Sequence, residues 1–286
     1  MTSVPTREAA RTAPRGEAPS RSGPLWSGSG MALQLWVLTL RQLRIVYADH
    51  RIILAGIAQP LIMLTLFSQI FGSMATPAIL PRQVDYIDFL LPALLVTTGI
   101  GMAQGAGVGL LRDIESGMVR RFRVLPLTLM LTLVARSLAD LTRSVVHLVI
   151  LIAGASLLFG YSCSGGVGGL VGAALLSLVV IWSLIWIFIA LAVWLRKVDV
   201  LASVGFFVSF PLMFASSAFV PTEILPGWLG AVARVNPVTY AVEGSRHLAL
   251  GWEPGGAVAA ALVSSIALIV VLMTVSAWAF TRNPEA

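Results

Sequence analysis

Residues 219–250 read FVPTEILPGWLGAVARVNPVTYAVEGSRHLAL and lie between two long apolar runs, yet this stretch cannot itself cross a membrane. Pro221, Pro226 and Pro237 interrupt any continuous helix, while Glu223, Arg234, Glu243 and Arg246 charge it. Proline locks φ and lacks the N–H that a helix interior needs. In lipid every backbone polar group must be satisfied internally, so irregular chain survives there only against protein or at the interface. The pattern predicts two short helices, roughly 226–235 and 238–249, dipping into the outer leaflet, with Asn236-Pro237 as the turn between them.

The chain around this segment is 286 residues long, 57% hydrophobic and 11% charged, with a mean hydropathy of +0.90. A soluble domain carries about a quarter charged residues. Charge this sparse cannot cover a water-exposed globule, so most of the chain must face lipid. A membrane-spanning helix needs about 20 mostly apolar residues, and such runs occur near 52–73, 88–110, 138–160, 168–195, 200–220 and 257–280. The fold class expected is an all-α membrane protein with six transmembrane helices. Arg41, Arg44 and Arg51 precede the first run, and Arg112, Arg120, Arg121 and Arg123 separate the second from the third. Arg196 and Lys197 separate the fourth from the fifth, and Arg282 follows the sixth. The intervening connections carry little charge, so the positive-inside rule places both termini in the cytoplasm.

Residues 33–47 set Leu35, Leu38, Leu43 and Val46 among Gln34, Arg41, Gln42 and Arg44, as in a helix lying along the inner membrane surface. The same residues would also serve as a bent extension of the first span. Residues 1–30 are rich in Pro, Ser, Gly and Ala and hold few large apolar side chains. They read as a disordered cytoplasmic tail ahead of a permease-like domain over 31–286.

Several functions are excluded or disfavoured by composition. The net charge of +6 is spread between hydrophobic runs, which fits membrane-flanking arginine better than nucleic-acid binding. Cys163 is the single cysteine, so no intrachain disulfide and no cysteine metal cluster can form. Lys197 is the single lysine, and Leu195-Arg196 precedes it. A phosphate-binding P-loop needs glycine directly before its lysine, so any ATP-driven activity requires another chain.

Within 219–250, Phe219-Val220-Pro221, Leu225-Pro226-Gly227-Trp228-Leu229, Asn236-Pro237-Val238-Thr239-Tyr240 and Arg246 form a set of fixed residue types at fixed spacing. The set resembles the end of the type-2 ATP-binding-cassette (ABC) exporter permeases, particularly the daunorubicin-resistance type of multidrug permease. The resemblance runs from about residue 32 onward and is motif-specific over 110–128 and 215–247. It implies an N-terminal interfacial elbow helix and a re-entrant helical hairpin over 221–251 before the last helix. It further implies a separate ABC ATPase subunit that holds ATP and magnesium, with no cofactor in this chain, and a second permease copy or paralogue. An amphipathic drug, antibiotic or lipid-like substrate would leave through a bacterial inner-membrane complex that does no covalent chemistry.

The densest charge lies in LLRDIESGMVRRFRVLPLT, residues 110–128. The resemblance makes this the loop that docks on the ATPase. Arg112, Asp113, Glu115, Arg120, Arg121 and Arg123 would present a polar surface, and Phe122 with Val124 and Leu125 an apolar anchor. A solvated loop whose arginines only fix topology is the plainer reading. In the third run, Arg136, Asp140, Arg143 and His147 share one helical face. They form either a charge ladder at the inner interface, with Arg136 outside the apolar core and Arg143 snorkelling, or the wall of a substrate path. Gly101, Gly105 and Gly109 read as a helix-packing stripe. Gln59, Gln69 and Gln104 line a pore or bond neighbouring helices. Trp182, Trp186, Phe188 and Trp194, with Phe206, Phe207, Phe210, Phe214 and Phe219, suit either lipid and core or a drug-binding wall; Pro211 is a candidate hinge.

Two other classes stay in view. An ion-coupled secondary transporter usually shows internal repeats and midplane carboxylates, whereas Asp140 is the sole carboxylate in the spans that could serve and no repeat is evident. A membrane enzyme would want clustered polar side chains, but His50, His147 and His247 fall apart in sequence.

Overall fold

The computed structural model describes residues 36–37, 39–40, 50–72, 84–116, 129–219, 222, 225–253 and 255–282. Beyond the helical residues at 36–37 and 39–40, eight helices make up the described residues: α1 His50–Gly72, α2 Tyr86–Glu115, α3 Leu129–Phe159, α4 Gly166–Leu195, α5 Val198–Phe214, α6 Gly227–Val235, α7 Pro237–Leu250 and α8 Ala257–Arg282. No strand occurs among them. Four stretches are long and apolar enough to cross a membrane: Tyr86–Glu115, Met130–Phe159, Gly166–Leu195 and Ala257–Ala279. Two shorter apolar stretches, Ala58–Ile70 and Val198–Phe214, accompany them. The interfacial helix expected over 33–47 and the tail over 1–30 lie almost wholly outside the described residues.

α4 is the central post. It is apolar on every side, as a helix surrounded by protein must be, and it packs against α2, α3, α5, α7 and α8. Trp186, Phe188, Ile181 and Leu184 of α4 and Phe89, Leu91, Leu95 and Ile100 of α2 are buried in the same core. The two helices meet closely because α2 carries glycine at the crossing. A Cβ on Gly107 would stand 2.7 Å from the Phe188 carbonyl oxygen, and one on Gly99 would strike the Ile181 side chain. Of the Gly101, Gly105 and Gly109 stripe, Gly105 and Gly109 lie against arginines of α3, while the glycines at the α4 crossing are Gly99 and Gly107, which the stripe did not include.

Two helix bounds also differ from expectation. α3 starts at Leu129, nine residues ahead of the apolar run that begins near 138, so its charged residues sit well inside one continuous helix. At about 1.5 Å per residue its 31 residues reach about 46 Å, longer than a hydrocarbon core of about 30 Å. α5 ends at Phe214 rather than near 220. Its last carbonyls are taken by side chains: Asn236 Nδ2 donates to the Leu212 oxygen at 3.0 Å and the Ala215 oxygen at 2.7 Å, and Ser216 Oγ donates to the Met213 oxygen at 2.7 Å.

Short connections set the neighbours. Arg196, at φ 55, and Lys197 alone join α4 to α5, so these helices turn back on one another. On the opposite end, the α3–α4 connection is stitched to the end of α7. Gly165 N donates to the Ala249 oxygen at 2.9 Å, Cys163 Sγ donates to the same oxygen at 2.9 Å, and Gly251 closes α7 at φ 66. The backbones approach so closely there that a Cβ on Gly251 would lie 3.2 Å from the Gly165 Cα.

Candidate functional site

A chain of charges runs along the seam between α2 and α3. Asp113, in the last turn of α2, is paired with Arg136 Nη1 of α3. Asp140 lies 3.7 Å from Arg136 Nε and 3.8 Å from Arg143 Nη2. Arg143 Nη2 crosses back to the Met102 carbonyl of α2 at 3.5 Å. Side-chain exposures of 13% for Arg136, 6% for Asp140 and 17% for Arg143 put all three inside the protein rather than on a solvated or lipid-facing ladder. Buried charges persist when paired, and the helix spacing of four and three residues is what brings these together. The glycine stripe makes room for them: a Cβ on Gly105 would stand 3.5 Å from Arg143 Nη2, and one on Gly109 would strike the Arg136 guanidinium.

Beside this seam lies a cavity of about 580 Å³ walled by α1, α2, α3 and α5. α1 contributes Gln59, Pro60 and Met63; α2 contributes Thr97, Thr98, Gly101 and Gln104. Arg143, His147 and Leu151 of α3 face it from another side. Phe206, Phe210 and Phe214 supply the aromatic wall from α5. Their rings follow one helical face with centroids 5.7 and 4.6 Å apart. The row continues through Phe219, 5.5 Å from Phe214, to Phe67 of α1, 4.7 Å further on. A pocket of this size, mostly apolar with a few polar groups, has the form of a small-molecule site. His147 Nδ1 donates to the Arg143 carbonyl at 3.0 Å, which leaves Nε2 as an acceptor in the neutral ring. Gln104 Nε2 is committed to the Ala202 oxygen of α5 at 3.2 Å.

The α6–α7 pair is built around two side chains. Asn236 Oδ1 caps α7 by accepting from Val238 N at 3.0 Å, with Pro237 at the first helical position. Its amide ties the pair to the end of α5, as above. Arg246, only 4% exposed, bonds three carbonyls on two other segments. Nε donates to the Phe89 oxygen at 3.1 Å, and Nη2 to the Ser217 and Ala218 oxygens at 3.1 and 3.3 Å. Its guanidinium carbon also stands 3.5 Å from the Phe89 ring centroid, a cation–π contact. α2, the α5–α6 connection and α7 are thus clamped by one cation. Tyr240 closes the turn, its hydroxyl donating to the Arg234 oxygen at 2.6 Å.

A family model described as ABC-2 type transporter matches residues 33–250, most of the chain. The chain belongs to the ABC-2 type transporter family. It is 35% identical over 203 residues to the daunorubicin resistance ABC transporter permease protein DrrB1 of Streptomyces coeruleorubidus, covering 70% of each chain. It is 31% identical over 196 residues to ycf38 of Porphyra purpurea, named as a transport permease, covering 68% of this chain and 67% of that one. A doxorubicin resistance ABC transporter permease protein named as probable, DrrC of Mycobacterium tuberculosis, is 22% identical over 212 residues, with 71% and 72% covered. The chain is therefore the membrane permease subunit of an ABC exporter, a class that works with an ABC ATPase subunit. The ion-coupled alternative gives way to that membership.

The permease places its sequence-predicted residues unevenly. Arg143, Phe210 and Phe214 meet in the cavity, whereas Arg136 and Asp140 stand behind it and Phe207 turns outward, 75% exposed. Phe206 holds the place expected of Phe207. Arg112 and Glu115 are exposed at the end of α2 and Asp113 turns in to Arg136. Arg120, Arg121, Phe122, Arg123 and Pro221 lie outside the described residues. Pro226 and Trp228 are exposed at the start of α6, while Asn236 and Arg246 are buried. Of the α4 aromatics, Trp186 and Phe188 are core, Trp182 Nε1 donates to Ser137 Oγ at 3.2 Å, and Trp194 is 78% exposed. Sequence reasoning missed Thr97, Thr98, Met63 and Met213, whose apolar or hydroxyl side chains carry no pattern that separates a cavity wall from a helix interface.

Proposed function

We propose that two copies of this permease, or this permease and a paralogue, form an export path. Each subunit would cross the membrane six times with both termini in the cytoplasm, α1 and α5 serving as the two shorter spans. Residues 33–47 would form the elbow helix, and α6 and α7 the re-entrant hairpin of a domain over 31–286 that follows a tail over 1–30. A separate ATPase would bind the loop 110–128 and hold ATP and magnesium, the permease itself performing no hydrolysis. The substrate would be an amphipathic drug, antibiotic or lipid-like molecule, the class suggested by the drug names of the relatives. The complex would sit in a bacterial inner membrane.

The observation that carries this reading is the cavity of about 580 Å³ beside the α2–α3 charge seam. Its wall lies near the middle of α1, α2 and α3, where a molecule crossing the bilayer must pass, and its aromatic face suits a flat apolar body. The seam links it to the end of α2, where Asp113 stands at the entrance to the docking loop. Movement imposed on that loop would reach Arg143 through three charged side chains on two rigid helices.

Co-purification of the tagged permease from its native membrane identifies the ATPase, and both chains are then reconstituted together. Amphipathic substrate should stimulate ATP hydrolysis only with both present. Glu115→Arg with Arg121→Glu should abolish stimulation and export while leaving the permease in the membrane. Unchanged transport by that double variant would remove the loop's docking role.

A further inference from the structure

The cavity has ionisable groups of one kind. Among its described lining residues only Arg143 and His147 can carry charge, and no carboxylate faces it. Asp140, the nearest acid, stands behind Arg143 and is shared at 3.7 and 3.8 Å between two arginines. It is separated from the cavity by the guanidinium it partly balances. The four charges of the seam sum to zero, but their order, Asp113, Arg136, Asp140, Arg143, leaves the positive end at the cavity wall.

Arg143 is also poorly satisfied. Among the described residues its Nε has no hydrogen-bond partner. Its Nη2 holds only the 3.5 Å bond to Met102 and the 3.8 Å approach to Asp140. A guanidinium has five N–H donors in a planar fork, and leaving them unmet in a low-dielectric site is costly. The space beside it is kept open by α2: a Cβ on Gly101 would touch nothing within 4 Å, and Gly105 leaves the Arg143 fork uncovered. His147 adds a proton donor or acceptor but no negative charge.

We infer that this cavity selects an amphipathic anion, a flat apolar body bearing a carboxylate, sulfonate or phosphate, over a protonated amine. The inference rests on the proposal that the cavity is the substrate route. An anionic headgroup would take the Arg143 fork in a bidentate, charge-assisted contact, while the body stacks on Phe206, Phe210 and Phe214. Those rings attract cations as well, but they stack on the apolar part of either ligand. A cation must in addition share a poorly screened enclosure with Arg143, where like charges repel far more strongly than in water. Protonated amines, the class that includes daunorubicin and doxorubicin, are disfavoured by that arrangement.

The test uses the full-length permease in phosphatidylcholine nanodiscs, with empty discs as the baseline, and three fluorescent probes sharing one body: pyrenebutyrate, pyrenebutanol and pyrenebutylamine. Pyrenebutyrate is expected to bind at least tenfold more tightly than pyrenebutylamine, with pyrenebutanol between them. Arg143→Gln should remove that preference while pyrenebutanol still binds above empty discs, Arg143→Lys should keep it, and Phe210→Ala should weaken all three alike. Equal or tighter binding of the amine, or a preference that survives Arg143→Gln, overturns the charge selection alone. Binding of none of the three above empty discs, as when a second permease copy fills the groove, overturns the cavity reading and the selection with it.

Discussion

Asn236 shows how one side chain can decide where three helices begin and end. Its oxygen caps α7 while its amide nitrogen donates to two carbonyls at the end of α5. Asn236→Ala removes the cap, worth about 1 kcal/mol, and strands buried carbonyls at about 1–3 kcal/mol more. Asn236→Asp keeps the capping acceptor but turns a carboxylate oxygen toward the same carbonyls. Thermal unfolding of the purified permease should therefore rank wild type above Asn236→Ala and Asn236→Asp at or below Asn236→Ala. An aspartate variant as stable as wild type would show that only the cap counts. Asn236-Pro237 was legible in the sequence because capping and proline placement are local rules. The partners of Arg246 were not, because backbone carbonyls of Phe89, Ser217 and Ala218 leave no mark on residue type. A cation buried at 4% exposure in an apolar bundle is itself the signal, and it says only that several acceptors must converge on it.

At the scale of elements, the helix pair after α5 follows from proline spacing to within two residues, and the apolar runs locate the long helices. What periodicity did not settle was which neighbour each glycine meets. Periodicity places Gly101, Gly105 and Gly109 on one face but cannot say what faces them. The structure assigns them to two arginines and the cavity, and gives the α4 contact to Gly99 and Gly107. Alanine at each position should then behave differently. Gly101→Ala meets open space and should leave stability unchanged or raise it by up to about 1 kcal/mol, the gain in helix propensity. Gly107→Ala presses on Phe188 backbone, which cannot swing aside, and should cost about 1–3 kcal/mol. Gly109→Ala should cost less, since the Arg136 side chain can shift, but should weaken coupling between ATP hydrolysis and transport. Melting of the four single variants, Gly105→Ala included, distinguishes this from a uniform packing stripe, for which 101, 105 and 109 would suffer alike and 107 would not. The early start of α3 escaped the sequence for a related reason. Polar residues at 136, 140 and 143 dilute the apolar run that marks a span, although their pairing with one another and with Asp113 of α2 lets them lie inside one continuous helix.

On the scale of the molecule, several apolar faces are exposed among the described residues, and two of them differ in chemistry. α8 presents Val263, Ile266, Val270 and Val275, aliphatic side chains from 48% to 68% exposed. α5 presents Phe206, Phe207, Phe210 and Phe214, from 43% to 75% exposed and continuous with the mouth of the cavity. Apolar area on this scale cannot meet water, so each face needs lipid or protein. Aliphatic side chains match acyl tails and gain nothing from a second protein surface. A row of rings flanking a cavity open on one side gains both burial and closure from a symmetric partner, since a two-fold pair brings the same patch from each copy together. The α5 face is thus the expected seam of the proposed permease pair and the α8 face the expected lipid boundary. Cysteine at each face tests this in native membranes, with Cys163→Ser removing the natural thiol. Oxidation should join two permease chains through Phe207→Cys and give no joined species through Val270→Cys. The reverse pattern would move the seam to α8, leave the cavity facing lipid, and make lateral entry from the bilayer its only closure-free route.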